Sequence, residues 1–178
     1  DRKGAQVVTI GAADTVLATL TIIPYEGSAE GHALYREAKL MLAVDAMRDR
    51  HWDVARRFIA AAREWPERLG AGKPYEADVD ERLEDWLLAD VGARSGDSTA
   101  AQAAWTRLAG RRARTGTIGD VLPLWALGML GRGGEAAALN NARRMAAPTD
   151  RVAVWAANVA RPDPGQFDSE DDRKAAAA

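Results

Sequence analysis

The stretch that decides the fold runs Trp52-Asp53-Val54-Ala55-Arg56-Arg57-Phe58-Ile59-Ala60-Ala61-Ala62-Arg63-Glu64-Trp65-Pro66. Ala55, Phe58, Ile59, Ala62 and Trp65 recur every three or four residues, which puts them on one face of an α-helix. Pro66 ends the pattern because it has no N–H to give and its ring blocks the preceding turn. Upstream, Leu34, Ala38, Met41 and Leu42 keep helical spacing up to Arg48, with Ser28 as the N-cap and a stop expected near Arg50. Two such stripes joined by a few residues predict an antiparallel helix pair that buries its apolar sides together.

Working outward, only Gln6 to Ile10 and Thr19 to Ile23 are short β-branched runs, while Ala, Leu, Arg and Glu fill the chain after Ser28. The expected class is all-α. A short first helix is expected over about Ala12 to Leu20, closed by Pro24. Pro66 to Ala77, with two Pro and two Gly, reads as a long ordered loop that packs Leu69 and Tyr75 back onto the hairpins. Asp78 followed by Glu81 is a capping-box pattern for a helix carrying Leu83, Trp86, Leu87, Leu88 and Val91 and ending at Gly96. Further helices are expected at about Ser98 to Arg112, Gly119 to Leu130 with Pro123 in its first turn, Gly134 to Ala146, and Asp150 to Ala160.

Helix pairs that recur at a period of some tens of residues signal a solenoid, since one pair cannot bury its apolar face alone. Setting Leu42, Ala43, Ala55, Ile59, Ala62 and Pro66 against Leu88, Ala89, Ala101, Trp105 and Leu108 aligns a large and a small residue in the first helix. It aligns a small, a large and a medium residue in the second. That resembles the tetratricopeptide pattern. The offset of 46 residues exceeds the repeat's usual length, about 34, by the length of the Pro66 to Ala77 loop. Trp125, Ala126 and Ala138 stand for a third unit, and Val152, Trp155 and Ala156 for a terminal capping helix. The expected architecture is a tetratricopeptide-like, right-handed α-solenoid of antiparallel hairpins over 28–160, with units at about 34–66, 78–112 and 118–146 and a cap at 149–160. Residues 1–27 form an N-terminal segment. Residues 161–178, rich in Pro, Asp and Glu and ending in four Ala, read as a disordered tail or cloning scar.

Two segments carry a closer resemblance. One is Ile22-Ile23-Pro24-Tyr25-Glu26-Gly27-Ser28 with Leu34-Tyr35-Arg36-Glu37-Ala38. The other is Ala62-Arg63-Glu64-Trp65-Pro66-Glu67-Arg68-Leu69-Gly70-Ala71-Gly72-Lys73-Pro74-Tyr75 with Asp80-Glu81-Arg82-Leu83-Glu84-Asp85. Over about Thr19 to Leu108 they look like the tetratricopeptide region of large bacterial proteins that begin with a β-sandwich domain of unknown function, itself similar to galactose-mutarotase folds. The resemblance implies a bacterial C-terminal portion, with any sugar chemistry in the absent sandwich, and it carries over no catalytic residue.

Composition narrows function further. Twenty-four basic against 26 acidic side chains leave a net charge of −2, which builds no positive field for nucleic acid or acidic lipid. Val16 to Ile23 is too short to span a bilayer, and the absence of Cys removes disulfide and thiolate chemistry. Gly70-Ala71-Gly72-Lys73-Pro74 lacks the strand, the spacing and the Ser or Thr of a phosphate loop. His32 and His51 fall in different elements without a second ligand at metal spacing. Glu81, Glu84 and Asp85 read as acids that complement a helix start, and Arg111, Arg112 and Arg114 as cations at a helix end. The six Trp read mainly as core, with Trp86 as a candidate contact residue. Neither a catalytic set, a cofactor nor a metal is expected.

The expectation is a non-catalytic interaction or scaffolding module that holds a protein or peptide, which includes its own parent assembly. An alternative is a helical accessory to a carbohydrate-active or carbohydrate-binding sandwich. In the tetratricopeptide register the first helix of each unit lines a concave groove, which selects Glu37, Leu40, Val44, Met47 and Arg48, and then Leu83, Trp86, Asp90 and Arg94.

Overall fold

The computed structural model describes residues 2–23, 29–111 and 118–146, together with Thr149 and Arg151. The described residues form α1 (Arg2–Thr19), α2 (Ala29–Arg48), α3 (Trp52–Ala62), α4 (Arg82–Ser95), α5 (Ser98–Ala109), α6 (Leu122–Met129) and α7 (Gly133–Ala146), with no strand among them. Short 3-10 turns lie at Glu67–Leu69, Glu76–Asp78 and Ile118–Val121. The fold class is all-α. The described chain divides into two compact units, with the boundary after Ala101, inside α5.

In the first unit, α2 and α3 form the expected antiparallel pair. Ala43, Ala46, Ala55, Ile59 and Ala62 are buried between them, and Leu87 and Val91 of α4 join the same cluster. The small residues let the helix axes approach, and Ile59, fully buried, fills the space that remains. α3 stops at Ala62, three residues before Trp65, because Arg63 closes it with a turn. A second cluster joins Leu17 of α1, Tyr35 and Ala38 of α2, and Leu69 of the following loop. The Lys39–Asp14 ion pair, at 2.7 Å, ties α1 to α2 beside it.

Two sequence expectations fail here. The first helix begins at Arg2, not near Ala12. A helix accommodates the β-branched run before Ile10 because Ile10 and Leu17, two turns apart, both bury, and such packing outweighs a propensity difference of a few tenths of a kcal/mol per residue. Tyr75, expected to pack back onto the hairpins, is 85 % exposed while Leu69 is fully buried. The backbone at Tyr75 is extended where it enters the 3-10 turn of Glu76–Asp78, so its ring is carried away from the hairpin. The expected N-cap Ser28 and the expected capping helix with Trp155 lie outside the described residues, except for Thr149 and Arg151.

The same turn closes three helices. After α2, Arg50 is left-handed (φ 60°), its N–H donates to the Met47 carbonyl at 3.1 Å, and the next N–H, of His51, donates to Ala46 at 2.8 Å. After α6, Gly131 (φ 72°) donates to Gly128 at 2.9 Å and Arg132 to Leu127 at 2.8 Å. After α4, Gly96 (φ 84°) is left-handed and Asp97 donates to Gly92 at 2.9 Å. These are helix stops in which a residue of positive φ lets two N–H groups satisfy the last carbonyls. The residue five positions beyond each left-handed one is a buried alanine, Ala55, Ala101 and Ala136. The residue seven positions before it, Ala43, Ala89 or Leu124, is buried too. Ala138, matched to the third unit by sequence, is exposed; the turn makes Ala136 its counterpart.

Arg50 is the one non-glycine residue with positive φ among the described residues, and its side chain is exposed. An L side chain in this conformation costs about 1 kcal/mol relative to glycine. Arg50→Gly is therefore expected to stabilise the first unit by about 1 kcal/mol. A urea midpoint unchanged or lowered would refute that.

In the second unit, Val121, Leu124, Ala126, Leu127 and Ala136 are buried around the α6–α7 pair. Pro123 sits in the first turn of α6, as expected, where its missing N–H is not needed. The Arg143 guanidinium donates to the Asp120 carbonyl, which pins α7 to the start of α6.

Candidate functional site

The start of α4 organises the described surface with the most chemistry. The backbone at Val79 is extended, so no helix begins at Asp78, and α4 starts at Arg82 instead. Asp80 holds that start. Its Oδ1 accepts from the Arg82 N–H at 3.2 Å, and its two carboxylate oxygens take the Arg82 guanidinium at 2.9 and 2.8 Å.

One turn later, Glu84 and Asp85 are completely buried. They are more than acids at a helix start. Arg36 of α2 donates from Nε and Nη2 to the two oxygens of Glu84, at 2.5 and 2.7 Å, and again to the Asp80 carbonyl at 3.1 Å. Arg63, just past α3, donates to Asp85 at 2.8 Å. The hydrogen bonds that Arg36 donates to Glu84 raise the Arg36 pKa above its usual value, against the opposing effect of burial. Both pairs cross between elements, so α2, α3 and α4 are locked together by charge at one end of their shared core.

Beside this network lies a cleft of about 270 Å³ whose walls include His32, Arg36, Arg63, Trp65, Asp80 and Glu84. Trp65 was read from its spacing as a core residue; it stacks on His32 with ring centroids 3.4 Å apart and planes 8° apart. The His32 Nε2–H donates to the Glu64 carbonyl at 3.1 Å. Burial lowers the His32 pKa below 6.5, more than that backbone bond raises it. The lining side chains include no hydroxyl, thiol or amine. The Arg36 and Arg63 guanidinium groups are engaged by carboxylates, and the stacked His32 and Trp65 give the cleft an aromatic wall.

The residues selected for a groove fall into two sets. Leu40 and Met47 are buried in the α2–α3–α4 core, and Val44 and Trp86 pack against it. Glu37, Arg48, Leu83 and Arg94 are exposed and Asp90 is half-buried. Arg48 pairs with Asp45 at 2.9 Å and Arg94 with Asp90 at 2.8 Å, each along its own helix. Exposed ion pairs of this kind contribute little to stability, which leaves them free to exchange partners.

The Arg36–Glu84, Arg63–Asp85 and His32–Trp65 contacts were not anticipated from sequence. The one available signal was two adjacent acids, Glu84 and Asp85, inside an otherwise apolar helix pattern. Among the described residues no group of three or more His, Cys, Asp or Glu is placed to hold a metal ion, and no helix is long and apolar enough to cross a membrane. The chain matches no family model, and neither a curated protein nor a solved structure matches it significantly.

Proposed function

We propose that this chain is a tetratricopeptide-like binding module that holds a peptide or protein segment and performs no catalysis of its own. The observation that carries the reading is the turn repeated at Arg50, Gly96 and Gly131, with a buried alanine five residues beyond each. The spacings are 46 and 35 residues, and the second is close to the tetratricopeptide period of about 34. The first is lengthened by the Pro66–Ala77 loop. In such hairpins the first helix of each pair supplies the contact face. Here that face carries Glu37 and Arg48 on α2, and Leu83, Asp90 and Arg94 on α4.

Panning a random peptide library against the full chain tests this. An enriched peptide is expected to lose at least about tenfold in affinity, or about 1.4 kcal/mol, when Glu37→Arg and Arg94→Glu are combined. Both positions are exposed, so circular dichroism should be unchanged. No enriched peptide, or binding indifferent to the two reversals, would count against the module.

A further inference from the structure

The chain leaving α3 is held against α2 by two consecutive residues. The imidazole of His32, 6 % exposed, covers Trp65 and donates from Nε2 to the Glu64 carbonyl. The Tyr35 hydroxyl, one turn further along α2, donates to the Glu64 carboxylate at 3.5 Å. Because a carbonyl only accepts, the neutral ring carries its proton on Nε2, and a second proton has to go onto Nδ1.

The surroundings act on that second charge in both directions: burial, the largest effect, and Arg36 disfavour it, while the Glu64 carbonyl and Glu84 favour it. On α2, one turn from His32, stands the Arg36 guanidinium, a like charge. From α4, Glu84 is committed through both oxygens to Arg36, and Asp85 to Arg63. After α3, the Glu64 carboxylate accepts from Tyr35 and Arg63 lines the same cleft. Asp78, Asp80 and Glu81, ahead of α4, line the cleft as well, and Asp80 binds Arg82.

We propose that the His32–Trp65 stack is a proton-operated latch: charging His32 releases Glu64 and Trp65 from α2 and opens the cleft. Burial holds the closed-state pKa of His32 below 6.5, while a released, hydrated imidazole returns to about 6.5. Above pH 6.5 neither state is charged and the latch stays shut. As pH falls below 6.5 the released state takes the proton first. The ratio of open to closed then rises by up to about tenfold per pH unit, until the closed-state pKa is reached.

With only two histidines in the chain, the proton NMR titration of the full protein is readily assigned using His51→Gln. The His32 ring protons are expected to be displaced by the Trp65 ring current at pH 7.5. They should titrate below 6.5 and move to ordinary positions as the proton binds. Hydrogen exchange across 63–80, corrected for its intrinsic pH dependence, should rise over the same interval. In His32→Gln, whose amide still donates to the Glu64 carbonyl but takes no proton, that rise should vanish. Should this variant fail to fold at pH 7.5, Trp65→Ala, which uncovers the imidazole, is expected to raise the His32 pKa towards 6.5. A His32 that titrates at or above 6.5 in the wild type, an exchange rise equal in wild type and His32→Gln, or a titration unmoved by Trp65→Ala would overturn the latch.

Discussion

Replacing Glu84 with Ala is expected to destabilise the first unit by about 3–5 kcal/mol. Glu84 is fully buried, and its two oxygens take the Nε and Nη2 of Arg36 in a bidentate pair. Removing it strands a guanidinium that burial already penalises. The Arg36 side chain is 31 % exposed, so water reaches part of it and the cost should fall near 3 kcal/mol. The converse change, Arg36→Met, strands a carboxylate with 1 % side-chain exposure and should cost at least as much. The double variant Arg36→Met with Glu84→Met is expected to recover most of the loss, because a buried ion pair contributes little net stability against a well-packed apolar replacement. Urea denaturation of the four proteins gives the coupling directly. Single variants within about 1 kcal/mol of wild type would mean that the pair behaves as a surface contact.

What was legible in the sequence was what depends on neighbours a few positions away. The stripe Ala55, Ile59 and Ala62 gave α3 and its buried face, and Gly96 marked the end of α4. Pro123 was correctly admitted to the first turn of α6. Each of these follows from local geometry. The length of α1 was not legible, because the β-branched residues before Ile10 argue against helix locally, whereas the burial of Ile10 and Leu17 is settled by distant packing. Asp78 and Glu81 had the spacing of a capping box, yet the extended backbone at Val79 intervened and α4 starts at Arg82. The cleft was the least legible part. Arg36 meets Glu84 across 48 residues and His32 meets Trp65 across 33, and no periodicity links positions so far apart. All nine groove residues were chosen by a register that marks a helix face. That register does not say where such a face turns inward, and so Leu40 and Met47 were selected although both are buried.

Gly92→Ala tests the close approach of α4 to Ala101, and it is expected to cost about 2 kcal/mol. In most helices this exchange is favourable: alanine has the higher helix propensity by about 1 kcal/mol. Gly11, inside α1 with nothing within 4 Å of an added Cβ, should follow that rule and gain about 0.5–1 kcal/mol on Gly11→Ala. At Gly92 the sign should reverse. An added Cβ would stand 2.7 Å from the Ala101 nitrogen, 3.0 Å from its Cα and 3.1 Å from its Cβ. Two of those three atoms are backbone and cannot swing aside, so the Ala101 backbone must move away from α4. Ala101 is itself 1 % exposed, so separation loosens packing on both sides of the contact. An overpacking cost of about 3 kcal/mol, less about 1 kcal/mol of propensity gain, leaves the stated loss. Thermal and urea unfolding of the two glycine variants side by side separates contact from propensity. A Gly92→Ala protein as stable as wild type, or stabilised like Gly11→Ala, would show that Gly92 and Ala101 do not touch.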